Sequence, residues 1–402
     1  MTKFTTTVRD TLRSYFEAGD KPTEEQWHAW IQAIQDGIES HEHKPSGGSG
    51  SGTGDAAPVS FPETWHDPHL RNIRAWRRRL ATRPDLATEM LAQAWTGEEG
   101  QDGVQALLSD GEYVYAGLDT APAQVIKIEP RTMTAVATLT LDESQDRCWA
   151  LAIAGDRLYA GLATPTAQVG MINRESMKYI ARWEEDEGRQ FCLALAYDGQ
   201  FLYAGLNTNP ACVVKLEFRA LTTVSKWIGD GNQIGCYALI YDGEYLYAGL
   251  YGSPGNVVKI DPGTMQAVAR WDDDTEPTHC RALCTNGSYV YAGFYDDPAV
   301  VKKLRRTDLS LADIWIGYED EPYCTSLLYD GESLYAGLGG DIGKVVKLGL
   351  PDLNRISDWQ AAAGSLGCQA LAFDGLYVYF GFDSSPAQVI RLIMRDIDEA
   401  GV

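Results

Sequence analysis

Three sets of residues have types and spacings suited to chemistry. The first is His41-Glu42-His43. On an extended backbone, side chains two apart point the same way, so both imidazoles face one side. Two nitrogens do not make a metal site, but three chains around an axis would supply six, enough for octahedral iron or another first-row metal. The plain alternative is a solvated polar run ahead of a linker. The second set is periodic. Cysteines stand at Cys148, Cys192, Cys236, Cys280, Cys324 and Cys368, one every 44 residues, with Val104 in the equivalent place once. The residue after each of them changes: Gln105, Trp149, Leu193, Tyr237, Arg281, Thr325, Gln369. The third set surrounds these positions. Carboxylates cluster at Glu184–Glu187, Asp272, Asp273, Asp274 and Glu319–Glu321, with aromatic rings at Phe191, Tyr251, Tyr295, Tyr318 and Tyr323. Aromatic surfaces beside carboxylates suit the C–H faces and hydroxyls of sugars. They suit a basic protein partner equally, and acidic loops also simply keep a surface soluble.

What must position these residues is a repeat. The stretch Gln105–Leu118, QALLSDGEYVYAGL, returns as ALAIAGDRLYAGL, ALAYDGQFLYAGL, ALIYDGEYLYAGL, ALCTNGSYVYAGF, SLLYDGESLYAGL and ALAFDGLYVYFGF. Its tyrosine stands at Tyr115, Tyr159, Tyr203, Tyr247, Tyr291, Tyr335 and Tyr379, without insertion or deletion. The first copy predicts strands at Gln105–Ser109, Tyr113–Leu118, Gln124–Glu129 and Ala135–Leu141, rich in Val, Ile, Leu and Tyr and bounded by Gly, Pro, Asp and Thr. Asp110-Gly111 and its copies mark hairpins, because glycine supplies the positive φ of a tight turn. Four antiparallel strands in 44 residues are one propeller blade. The seventh copy ends short of its fourth strand. Trp95, preceded by TEMLAQA, matches Trp271 preceded by TMQAVAR, so a strand ending at Trp95 should complete the last blade. Closing the ring this way removes open sheet edges. The expected fold is mainly β: a seven-bladed propeller over residues 88–402, its last blade closed by an N-terminal strand.

In such a wheel, the fourth-to-first and second-to-third strand loops share one face, and the variable residues above fall on it. The candidate ligand-binding face is therefore Trp149, Phe191, Tyr237, Tyr251, Arg281, Tyr295, Tyr323, Asp272, Asp273 and Glu319. Lys127, Lys215, Lys259, Lys303, Lys347 and Arg391 repeat in the third strand, with Met171 breaking the series, and read as scaffold contacts. An enzyme needs a nucleophile with its base, or a carboxylate pair, converging at one spot. No blade carries an insertion, and His279 is the only histidine in the repeats. A carboxylate pair of the glycosidase kind is not excluded by composition. The expectation is a non-enzymatic protein.

The 402-residue chain is 45% hydrophobic and carries a formal charge of −22. That charge argues against nucleic acid or an anionic membrane as partner. There is no apolar run of transmembrane length, and MTKFTTTVRDTLRSYF lacks the apolar core of a signal peptide. The expectation is a protein made and assembled in the cytoplasm. Of eight cysteines, six hold one structural position. Packed sheets lie roughly 10 Å apart and a disulfide needs Cα atoms within about 7 Å, so these read as reduced, buried hydrophobes.

Residues 1–43 are of another kind. Val8, Leu12, Tyr15 and Phe16 share a helical face. Thr23 and Gln26 form a capping box for a second helix, whose stripe is Trp27, Trp30, Ile31, Ile34 and Ile38. Two short helices cannot bury this surface alone, so Tyr15, Phe16, Trp27, Trp30, Ile31 and Ile34 are candidate attachment and oligomerisation residues. Residues 44–60 form a Gly/Ser linker. Residues 61–87 read as a helical connector whose Arg71, Arg74, Arg77, Arg78 and Arg79 form the one basic concentration.

The segment VRDTLRSYFEAGDKPTEEQWHAWIQAI followed by HEH resembles the amino-terminal segment of tail-fibre and baseplate-associated proteins of contractile phage tails and phage-tail-like injection systems. The residues carrying the likeness are Tyr15, Phe16, Gly19, Asp20, Lys21, Pro22, Thr23, Gln26 and Trp27. The resemblance implies a homotrimer that binds baseplate or other tail proteins, with iron shared through His41 and His43. It implies a structural, receptor-binding component of a phage-tail-like particle, virion-like or extracellular after release, whose propeller meets a cell-surface glycan or protein. A stand-alone propeller, lectin-like or carbohydrate-active as a lyase or hydrolase, is the alternative.

Overall fold

Each copy of the repeat folds around the aspartate of its turn. Asp110 accepts the backbone N–H groups of Glu112 and Tyr113 on Oδ1, at 2.8 and 2.6 Å, while Oδ2 accepts the Tyr115 hydroxyl at 3.0 Å. One side chain thus closes the hairpin and satisfies a phenol that is otherwise fully buried. Asp198, Asp242 and Asp374 repeat this arrangement with Tyr203, Tyr247 and Tyr379. At Asn286 the polarity reverses, and the amide donates to Tyr291 at 3.0 Å. The second copy has Ala154 here, and its Tyr159 donates instead to the Phe218 carbonyl at 2.5 Å. The glycine after the aspartate is left-handed, with φ of 83° at Gly111 and 101° at Gly243.

The structure is a computed structural model, and it describes residues 93–393 except 187, 232, 253–254, 273–278 and 362–364. The predicted helices, Tyr15, Phe16, Trp27, Trp30, Ile31, Ile34, His41, His43, the linker, the connector and Asp273 lie outside the described residues. In the first copy the strands are Val104–Ser109, Val114–Leu118, Gln124–Glu129 and Thr134–Thr140, within one residue of expectation at every end. The described residues form seven four-stranded antiparallel sheets, six of them built from consecutive strands. In the seventh, Gln93–Thr96 pairs with Gln388–Ile393, Trp95 opposite Val389. The chain is a seven-bladed β-propeller closed by its N-terminal strand, as the repeat predicts. Among the described residues there is no helix, and none long and apolar enough to cross a membrane.

The core lies between successive sheets rather than within one. One cluster joins Tyr291, Val301 and Trp315 of the fifth blade to Cys324, Ala336 and Val346 of the sixth. The periodic cysteines are free and fully buried, and burial pushes the Cys148 and Cys368 thiols up to about 12. Each packs against the glycine of the preceding YAG element. A Cβ at Gly293 would stand 2.5 Å from Cys324 Sγ, with every other atom at least 3.3 Å away. Glycine and cysteine are thus two halves of one inter-blade contact. Gly293→Ala is expected to destabilise by about 1–3 kcal/mol through overpacking. Because sulfur is the obstacle, the double variant with Cys324→Ala should lose less than the two single losses added together. Denaturant titration of the four proteins measures this, and strict additivity would count against the sulfur contact.

Five of the third-strand cations clasp their blade to the next. Lys127, Lys215, Lys259 and Lys303 donate to the carbonyls of Arg174, Pro262, Arg306 and Pro351 at 3.2, 2.7, 2.8 and 2.5 Å. Arg391 in the last blade donates to the Pro130 carbonyl in the first and to Gln93 Oε1 at 2.9 Å. The scaffold reading of this series holds, and its last member ties the ring shut.

Candidate functional site

The variable residue after each cysteine is displaced by a backbone irregularity. Cys280 pairs with Phe294 and Ala282 with Gly293, so Arg281 is an extra residue in its strand. The same shift recurs at Gln105, Trp149, Leu193, Tyr237, Thr325 and Gln369. A β-bulge re-aims a side chain. Here all seven side chains line one central cavity of about 230 Å³, ringed by the first strands. Residues just before the bulge are left-handed in five blades: Gly103, Arg147, Phe191, Gly235 and Tyr323, with φ between 47° and 58°. Arg147, Phe191 and Tyr323 adopt this conformation without being glycine, as do Met133, Met177, Leu221, Met265, Leu309 and Leu353 at the turns between third and fourth strands.

Backbone bonds hold the surrounding loops to one face. Ala123 N–H donates to the Gln145 carbonyl at 2.6 Å and Ala299 N–H to the Glu321 carbonyl at 2.7 Å, tying second-to-third loops to fourth-to-first loops. Within this frame Arg281 is the centre. Its guanidinium carbon lies 5.7 Å from the Trp149 ring, 5.3 Å from Tyr237 and 5.6 Å from Tyr295. Tyr295 stacks on Tyr323 at 4.0 Å and 5° between planes. Tyr237 stacks on Tyr251 at 5.3 Å, and Tyr251 on His279 at 3.7 Å. Burial lowers the Arg281 pKa against the opposing pull of Tyr237 and Tyr295, yet a guanidinium stays charged. No carboxylate among the described residues pairs with it. Trp149 Nε1 is buried without a hydrogen-bond partner, a deficit of about 1–3 kcal/mol. The tips of the cluster, Tyr251 and Tyr295, are each 39% exposed.

Six of the predicted face residues, Trp149, Tyr237, Tyr251, Arg281, Tyr295 and Tyr323, therefore come together. Phe191 occupies the position equivalent to Tyr323 and makes no ring contact with a described residue. Glu319 is exposed on its loop, whereas Asp272 is engaged by Arg270 Nε at 2.6 Å. His279 joins the cluster although its part in it was not foreseen; its place directly before Cys280, shared with Phe191 and Tyr323, was the available signal. The loop acids divide into two kinds. Glu185 and Glu321 have fully buried carboxylates, the first held by Arg189 and Lys226, the second by Lys344 and Arg355. They are internal staples, so the acidic face is smaller than the sequence suggests.

No family model matches the chain, and no curated protein does. Solved structures do match in three dimensions. One, described as "Structure of U3-55K", has a TM-score of 0.62 at 13% identity, covering 75% of this chain and 98% of that one. Another, "Crystal structure of RRP9 WD40 repeats", has a TM-score of 0.61 at 13% identity, covering 75% and 97%. What these proteins share with the chain is the fold. Among the described residues no group of three His, Cys, Asp or Glu side chains is placed to hold a metal ion.

Proposed function

We propose that this chain is a non-enzymatic recognition component of a phage-tail-like contractile particle. Residues 1–43 attach it, as a trimer, to the baseplate or a neighbouring tail protein, and the propeller presents its channel-mouth face to a cell-surface glycan or protein. The observation that carries the recognition half is the ring of bulges. Seven near-identical blades place seven side chains into one cavity, and six residue types occupy those places: Gln twice, Trp, Leu, Tyr, Arg and Thr. The lining offers donors and rings and holds no carboxylate, which suits holding a ligand better than hydrolysing one. The attachment half is supported by the likeness of Tyr15–Trp27 and the following His-x-His to tail-fibre amino termini.

Deleting residues 1–43 tests the assignment. The truncated chain should lose trimerisation and particle incorporation while its circular dichroism remains that of a folded propeller. Incorporation of the truncated chain at the full-length level would overturn the attachment reading and favour the stand-alone propeller. For the metal, elemental analysis of the purified oligomer should find iron or another first-row metal, lost on changing His41 and His43 to Ala. Unchanged metal content in that variant would remove the two histidines as ligands.

A further inference from the structure

Arg281 is a half-buried cation whose faces and edge are differently occupied. The rings of Trp149, Tyr237 and Tyr295 approach it within 5.3–5.7 Å, so its charge is partly met by π-systems. Rings offer nothing to its in-plane N–H groups, which form a fork matched to a carboxylate. Beside it, Trp149 presents a buried N–H with no acceptor. The other polar bulge residues already use part of their donor capacity within the protein. Thr325 spends its O–H as a donor to the Gly337 and Cys368 carbonyls, at 3.0 and 2.5 Å, and Gln105 donates Nε2 to Asp119 at 3.4 Å. The two donors left without an acceptor are therefore the Arg281 fork and the Trp149 N–H, a pair suited to a carboxylate even in a chain whose overall charge is −22.

We propose that the Arg281 cluster binds a carboxylate carried on a sugar ring, that is, one acidic monosaccharide unit of a glycan. Three features favour this source over an acidic peptide. The cavity, about 230 Å³, takes one ring-sized group rather than an extended chain. Beside Arg281 the stacked pairs Tyr295 on Tyr323 and Tyr251 on His279 reach solvent through the exposed rings of Tyr251 and Tyr295, and aromatic rings suit the C–H face of a pyranose. The surrounding negative charge tolerates a single carboxylate on a neutral body and repels a polyacid. The inference rests on the reading of this face as a recognition surface and names what it recognises.

Titration of the full-length protein with D-glucuronate, N-acetylneuraminate, D-glucose, acetate and N-acetyl-L-glutamate, followed calorimetrically, tests it. At least one acidic sugar should bind, with glucose, acetate and N-acetyl-L-glutamate each at least tenfold weaker. Arg281→Gln should weaken that sugar at least tenfold, and Trp149→Phe, which removes the N–H and keeps a ring, a few-fold, both with unchanged circular dichroism. The proposal is overturned if neither acidic sugar binds, if acetate or N-acetyl-L-glutamate binds as tightly, or if Arg281→Gln binds like the parent. Should Arg281→Gln fail to fold, Trp149→Phe decides through the same comparison. None of these results touches particle incorporation by residues 1–43, so the two readings fail separately.

Discussion

Glu321→Ala is expected to destabilise the propeller by about 3–5 kcal/mol, the loss typical of breaking a buried ion pair. The carboxylate is fully enclosed. It receives Arg355 through two N–H groups at 2.9 and 2.7 Å, the Lys344 ammonium, and the backbone N–H of Tyr318 at 2.9 Å. Removing it leaves two cations, each less than a fifth exposed, with only Asp358 at 3.4 and 3.2 Å to share. It also frees a loop N–H that glutamines serve elsewhere: Gln101, Gln145 and Gln233 accept the corresponding N–H of Glu98, Asp142 and Asp230. Glu321→Gln should therefore keep the loop and lose the charge pairing, and so fall between parent and alanine variant. The acid response follows from the same contacts. Burial alone would raise the Glu321 pKa, but hydrogen bonds from Arg355, Lys344 and the Tyr318 amide bring it from 4.5 down to about 2. A depressed folded-state pKa gives stability that is present above 4.5 and is lost as pH falls toward 2. The difference amounts to roughly 3 kcal/mol. Denaturation midpoints between those limits should fall more steeply for the parent than for Glu321→Gln. Parallel curves would show that the pairing does not set the acid limit.

The architecture was legible because the repeat speaks many times. One Asp-Gly…Tyr-Ala-Gly pattern is ambiguous, but seven in register fix strand count, blade count and the missing strand together. The cysteines show where legibility stops. Their period marks a shared position, and their free, buried state follows from it. That each faces a YAG glycine across the blade boundary does not, because the contact lies 31 residues away in sequence, as from Gly293 to Cys324. The site was half legible for a related reason. Variation at the residue after the cysteine marks a face of the wheel, and Arg281, Tyr237 and Trp149 were found that way. The bulge that turns them inward leaves no signature in residue type. Glu185 and Glu321 misled because a loop carboxylate reads as solvated until its cations, 34 residues distant for Arg355 and Glu321, are seen beside it.

Trp95→Ala carries the other large expected loss, about 3–5 kcal/mol for emptying a buried tryptophan site. Trp95 is 5% exposed and packs with Val104, Ile126, Met133 and Val389, bridging the last blade and the first. Trp227 is equally buried at the same place in the third blade, so the transfer contribution of the two side chains is alike. Their strands differ in what else holds them. Thr222–Ile228 follows its ladder partner Cys212–Glu217 through a short turn, whereas Gln93–Thr96 is a four-residue strand whose partner Gln388–Ile393 lies at the other end of the repeats, and it is held by that ladder and by Arg391 on Gln93. Loss of Trp95 should therefore release the strand before the rest of the ring unfolds, and local opening of this kind appears in hydrogen exchange. Backbone amides of Gln388–Ile393 should exchange faster in Trp95→Ala, while those of Cys212–Glu217 in Trp227→Ala should follow global unfolding. Once the strand leaves, an unpaired edge is exposed, and association that increases with protein concentration should accompany it. If Gln388–Ile393 stays as protected as in the parent while stability falls, Trp95 contributes only packing, and the ring does not depend on that strand for its closure.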